Sequence, residues 1–160
     1  MDDADLELLR DLLRGQRLLA LAVVVEGRPV AGLVPFLAAP DLTSLVVHVS
    51  ALAPHAAGLG EGAPWSGVIH VPDAAGVDPL QVPRAVLGGS SRRIDDPDVV
   101  RAIGQAWVAR FPGAEATIGL GDFAFVKGEE IGPLDAPARQ KLLVRLAGFH
   151  PALHAGAGLA

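Results

Sequence analysis

Apolar positions along the chain fall into short blocks with two periods. Residues 3–14 repeat leucine at helical spacing, through Leu6, Leu9, Leu12 and Leu13, with acids early and Arg14 late. That pattern predicts a surface helix whose charges suit its dipole, stopped by Gly15. Residues 18–25, LLALAVVV, predict a buried strand, and Glu26-Gly27-Arg28-Pro29 a tight turn. A second strand is expected over 30–37, with Pro35 marking an edge or a bulge. Ala39-Pro40-Asp41 turns the chain into a third strand over 45–49. A short helix over 52–59 follows, with Ser50 as its candidate N-cap. Strands are expected over 65–71 and over 82–94, the latter kinked at Gly88-Gly89. Asp95-Asp96-Pro97 starts a helix over 99–110, closed by Phe111-Pro112-Gly113. Residues 117–120 and 123–127 read as short strands, and 137–146 as a last helical piece. Early hairpins and a predominance of strands favour an antiparallel barrel with peripheral helices over a doubly wound sheet.

Composition narrows this picture. The chain has 160 residues, enough for a buried core in one domain spanning 1–160, with a helix over 1–15 and a polar tail over 148–160. With 5 Phe, 2 Trp and no Tyr, that core must be built mainly from Leu, Val and Ala. A net charge of −5 argues against non-specific binding to nucleic acid or anionic membranes. The absence of cysteine excludes disulfides, thiolate nucleophiles and cysteine-ligated metals, and fits a cytoplasmic protein. The acidic, amphipathic start is not a signal peptide, and the longest apolar run is far short of a membrane span.

Candidate chemistry gathers at strand ends. His55, one turn into the expected helix after Ser50, suits an anion held by an imidazole and a helix start; the alternative is a surface histidine. Arg84 heads an apolar strand, where a guanidinium grips phosphate or pyrimidine oxygens; the alternative is a surface ion pair. Ser50 has two compatible roles, phosphate donor and cap. His48 shares the face of Ser50, either lining the site or as a half-buried structural residue. His150 and His154, four apart, are either metal or haem ligands or part of a mobile polar tail. Gly119-Leu120-Gly121 lacks the third glycine of a dinucleotide fingerprint, and Gly88-Gly89-Ser90-Ser91 is no Walker loop.

These pieces resemble, in order, the flavin-binding split barrels related to pyridoxamine 5′-phosphate oxidase, nearest the haem-utilisation branch. The strand ending at Ser50 followed by Ala51-Leu52-Ala53-Pro54-His55-Ala56-Ala57-Gly58-Leu59 is similar to that branch's Ser, Leu-Ala-x-His-Thr-x-Asn-Leu. Arg84-Ala85-Val86-Leu87-Gly88-Gly89, Phe111-Pro112, Asp122-Phe123 and Gly148-Phe149-His150-Pro151-Ala152 match its later motifs. Two departures stand out. Ala56 and Gly58 replace the family's Thr and Asn, and the second strand carries Ala31-Gly32-Leu33-Val34-Pro35 where a Ser or basic residue is common. The resemblance implies a mainly β, six-stranded antiparallel split barrel of Greek-key type. It implies a homodimer with flavin mononucleotide (FMN) between the subunits, and a cofactor site of His48, Val49, Ser50, Pro54, His55 and Arg84. An FMN-dependent oxidoreductase is the expected activity. A haem-binding or haem-degrading protein, with a tail histidine near the iron, is one alternative. A barrel that has lost its cofactor and acts as a binding module is another.

Overall fold

The computed structural model describes residues 3–129. The expected segment 137–146, the motif at 148–152, His150 and His154 lie outside them. The described residues form six strands: β1 (Leu18–Val25), β2 (Arg28–Ala38), β3 (Leu45–Ser50), β4 (Pro64–His70), β5 (Arg84–Arg93) and β6 (Phe123–Glu129). They close into a barrel in the order β1-β2-β3-β6-β5-β4, and every pairing is antiparallel. The run β4-β1-β2-β3 is the Greek-key order. Among the described residues three α-helices lie outside the barrel: α1 (Asp3–Gly15), α2 (Pro97–Arg110) and α3 (Glu115–Ile118).

The first hairpin follows from its turn. Glu26 and Gly27 both take positive φ, 51° and 75°, the geometry of a two-residue turn matched to strand twist. β1 then buries Leu19, Leu21 and Val23 inside the barrel. The same interior receives Val34 and Phe36 from β2, Leu45, Val47 and Val49 from β3, Trp65 and Ile69 from β4, and Ala85 and Leu87 from β5. Leu12 and Leu13 of α1 join this core, with Leu8 and Leu9 packed against it, so α1 covers one end of the barrel. Large side chains leave no space at some backbone positions. A Cβ at Gly128 would lie 2.6 Å from the Trp65 ring, and one at Gly89 would collide with the Glu129 carbonyl. Gly89 thus serves close approach of β5 to β6. The β4–β5 ladder runs unbroken through Gly88 and Gly89, without the interruption expected of a kink.

A second cluster sits on the outer wall, where Trp107 and Phe111 of α2 pack on Phe125 of β6. Asp96 caps α2 by accepting from the Asp98 and Val99 amides. At the far end, Arg110 Nη2 donates to the carbonyls of Arg14 (3.0 Å) and Gln16 (2.5 Å), tying α2 to the last turn of α1.

Two local expectations are corrected. Residues 52–59 do not form an α-helix; they make successive turns and one 3₁₀ turn, Ala56–Gly58. Pro54 stands four residues after the expected cap Ser50, where a helix needs an N–H for the Ser50 carbonyl, and it has none. The backbone closes instead by three-residue bonds, Ala53 to Ser50, Ala56 to Ala53 and Gly58 to His55. Residues 117–120 are not a strand either. The turn begun at Pro112-Gly113 continues as α3, and Thr117 Oγ1 donates back to the Ala114 carbonyl.

Candidate functional site in the open seam

The barrel is split beside β3. β2 pairs with β1 from Arg28 to Pro35, but with β3 only from Phe36 to Ala38. Pro35 explains where the second ladder stops. It has no N–H to continue the pairing past Val47, so β3 leaves β2. Residues 51–59 then cross the mouth at the tip of the first hairpin. His55 places its ring against the inner face of Gly32, where a Cβ would lie 2.5 Å from Nδ1. Gly58 rests on Val23 and the Val24 carbonyl. Burial of the His55 imidazole pushes its pKa below the usual 6.5.

The structure brings His48, Val49, Ser50, Pro54 and His55 together at this mouth and gives each a distinct setting. Val49 faces the barrel interior and is buried, so it offers the seam only its backbone. His48 points outward and is enclosed by aromatics. Its ring stacks on Phe125 (centroids 4.4 Å apart) and lies 4.8 Å from Phe123 and 5.6 Å from Trp107. Desolvation there also lowers its pKa. Ser50 Oγ donates to Asp122 Oδ2 at 2.7 Å and accepts from the Leu52 amide at 3.1 Å. Its capping role survives as a turn cap. Pro54 is exposed on the crossing loop.

Asp122 is the partner that reading the sequence missed. It closes β3 to β6 twice, through Ser50 and through its carbonyl, which accepts from the Ala51 amide at 2.7 Å. Only its place beside Phe123 in an ordered motif marked it.

Arg84 is not part of this group within one chain. It pairs with His70 at the α1 end of the barrel, faces outward, and donates to the Pro79 carbonyl at 3.2 Å. Gly32 pairs with Leu21, and Leu21 with Gly67, so Arg84 sits three residues of strand away from the His55 row, about 10 Å.

Another concavity lies on the far side of the wall from the barrel interior. A groove of about 910 Å³ runs between α2 and the outer wall, lined by Val46, Ile94, Val99 and Ile103, with Asp41, Arg92, Arg93 and Lys127 along it. Its charges are matched internally. Arg93 pairs with Asp95 at 2.7 Å, and Arg92 and Lys127 share Glu129 at 2.5 and 3.5 Å. The Thr43 amide and hydroxyl hold Asp41 below the usual carboxylate value. Among the described residues the charged groups along this groove are spent on one another, whereas His55 at the seam has no ion-pair partner.

The outer face of the sheet beside the seam is apolar. β1 presents Leu18, Ala20, Ala22 and Val24, with no polar residue. Through the registers, Leu33, Ala20, Val68 and Val86 form one continuous row across β2, β1, β4 and β5. Leu33 is 67% exposed and Val86 38%.

No family model and no curated protein matches the chain. Solved structures do. Protein Atu2129 of Agrobacterium tumefaciens, of unknown function, is 25% identical with a TM-score of 0.68, over 82% of this chain and 55% of its own. A haem-binding protein of Mycobacterium smegmatis is 24% identical with a TM-score of 0.66, over 80% and 52%. An FAD- and haem-binding protein of the same organism is 26% identical with a TM-score of 0.53, over 88% and 77%. The chain spans about half the length of the first two. The fold is therefore the split barrel shared by flavin- and haem-binding proteins, in line with the resemblance read from the sequence. Among the described residues no helix is long and apolar enough to cross a membrane.

Proposed function

We propose that this chain is an FMN-binding protein that works as a homodimer, with the cofactor held in the seam between the copies, and that its activity is oxidoreduction. The observation that carries this reading is the exposed apolar row Leu33–Ala20–Val68–Val86. An antiparallel sheet needs only one apolar face, and this one has two. Pairing two copies through that face buries it.

The donors suit a phosphorylated, planar, apolar-bodied ligand. His55, through its ring and its own amide, would hold the phosphate, with Ser50 shaping that loop through Asp122. Val49 and Pro54 contribute backbone and apolar contact. His48 supports the wall from behind, inside its aromatic cluster. Arg84 lies on the same outer face as the apolar row, so the second copy would bring it to the ligand's ribityl or phosphate oxygens. Bound FMN would supply the electron transfer, and the protein would bind and orient it. Two neighbours whose names include haem favour a second reading, haem binding, on the same fold.

The test is an absorption spectrum of the purified protein before and after addition of FMN or haem. Flavin bands that are lost in His55→Ala/Arg84→Ala support the first reading. A Soret band lost when His150 and His154 become Ala selects the second. A colourless protein that retains neither would be a barrel without its cofactor.

A further inference from the structure

The groove beside α2 is an apolar surface that the described residues leave uncovered. α2 spends Trp107 and Phe111 on Phe125 of β6. It keeps a second apolar side, Val99, Ala102, Ile103 and Ala106, which lines the groove opposite Val46 and Ile94. Val99 is 44% exposed. A surface helix needs one apolar stripe and a polar remainder. Here the polar residues Asp98, Arg101 and Gln105 are confined to a third side. A helix with two apolar sides needs cover on both.

The chain leaves the barrel at this groove. Glu129 ends β6, and its carboxylate pairs with Arg92 and Lys127, both of which line the groove. Residues 130–136, fully extended, reach about 23 Å. The segment 137–146, PARQKLLVRL, follows. As the helix its sequence predicts, it would run about 15 Å, against about 10 Å of α2 from Val99 to Ala106. Helical spacing sets Leu142, Leu143 and Leu146 on one face. The same ten residues carry Arg139, Lys141 and Arg145 and no acid. Along the groove Asp41 takes its hydrogen bonds from Thr43, and Asp96 from the α2 amides, rather than from a cation.

We propose that residues 137–146 dock in the groove of their own chain, with the leucines against α2 and Val46 and the cations toward Asp41 and Asp96. This is helix-in-groove recognition within one molecule, the apolar face of a short segment filling an apolar cleft. It stands apart from the FMN reading, because the groove and the seam are separate.

Two measurements on the full chain test it. The chain has no cysteine, so single thiols report on it cleanly. Ala102→Cys places one in the groove, and Arg101→Cys places one on the polar side of α2. Both positions are exposed among the described residues, so an uncovered groove would let a thiol reagent reach them at similar rates. The thiol at position 102 is expected to react about tenfold or more slowly than that at 101. Adding Leu142→Asp/Leu146→Asp should restore its rate and leave position 101 unchanged. Equal rates at 102 and 101 overturn the proposal, as does protection that survives the two aspartates. The second measurement asks whose segment fills the groove, by treating Ala102→Cys/Leu146→Cys with a short bis-maleimide. A linked product with the mass of one chain supports the proposal. A product with the mass of two chains gives the groove to a second copy and overturns it, and so does the absence of any link. If the aspartate variant fails to fold, the rates in the chain without it and the cross-link decide.

Discussion

The His55 imidazole occupies the space that a side chain at residue 32 would fill, with Nδ1 2.5 Å from where a Gly32 Cβ would stand. The loop over the barrel mouth is thus keyed to one strand position. Gly32→Ala forces the ring or the strand to move, and overpacking of this kind costs about 1–3 kcal/mol. His55→Ala removes the conflict. The double variant Gly32→Ala/His55→Ala is therefore expected to be more stable than the sum of the single losses, by an interaction energy of about 0.5–3 kcal/mol in urea unfolding. Strict additivity would show that the ring does not rest on Gly32.

This relationship marks the boundary of what the sequence discloses. The strands were legible because each is an apolar run bounded by turn residues, and Glu26-Gly27 left little choice of hairpin. Pro35 was legible as a break in pairing, though not which ladder it ends. The loop at 51–59 was misread because Ser50 and a run of alanines look like a capped helix start. The deciding residue was Pro54, whose missing N–H falls at the first helical hydrogen bond. Likewise the strand period put His48 on the face of Ser50, but nothing local showed that Phe123, Phe125 and Trp107 enclose it. Long-range partners such as Ser50 and Asp122, 72 residues apart, leave no periodic trace.

Stability should depend on pH through His48 and His55. Burial depresses both pKa values below the ordinary 6.5, so the folded chain favours the neutral rings. Below that value the unfolded chain binds more protons than the folded one. Stability is then full above about pH 7, and falls as pH drops through 6.5 toward the folded-state pKa values. His48→Phe keeps the aromatic stack and removes one titrating group. It should flatten part of this fall while preserving the midpoint at pH 8. An unchanged pH slope in denaturant titrations would rule out His48 as a source.

The Ser50–Asp122 bond holds the end of β3 to the start of β6. Asp122→Ala leaves the Ser50 hydroxyl without its acceptor, while the Ala51 amide keeps the backbone carbonyl. A charge-assisted bond of this kind contributes about 1.5–3 kcal/mol. Asp122→Asn retains an acceptor oxygen and should recover part of the loss. Hydrogen exchange read at Leu52, whose amide depends on the Ser50 hydroxyl, should quicken in Asp122→Ala and less so in Asp122→Asn. Equal exchange in all three proteins would separate the loop's order from this contact.

The apolar row on the outer sheet makes the strongest demand on a second molecule. In a two-fold interface each substitution appears twice, so a single buried charge per chain acts with doubled effect. Ala20→Lys lies in the middle of the row, flanked by Leu33 and Val68 through the registers. A lone chain carries that lysine in water at little cost to folding. A dimer must desolvate two ammonium groups without partners, several kcal/mol in total. Sedimentation equilibrium at micromolar concentration should show a dimer for the unmodified chain and a folded monomer for Ala20→Lys. Arg101→Ala, on the exposed surface of α2 and paired with Asp98, should leave the dimer intact. A monomeric unmodified chain, or a dimer indifferent to the lysine, would move the interface off this face.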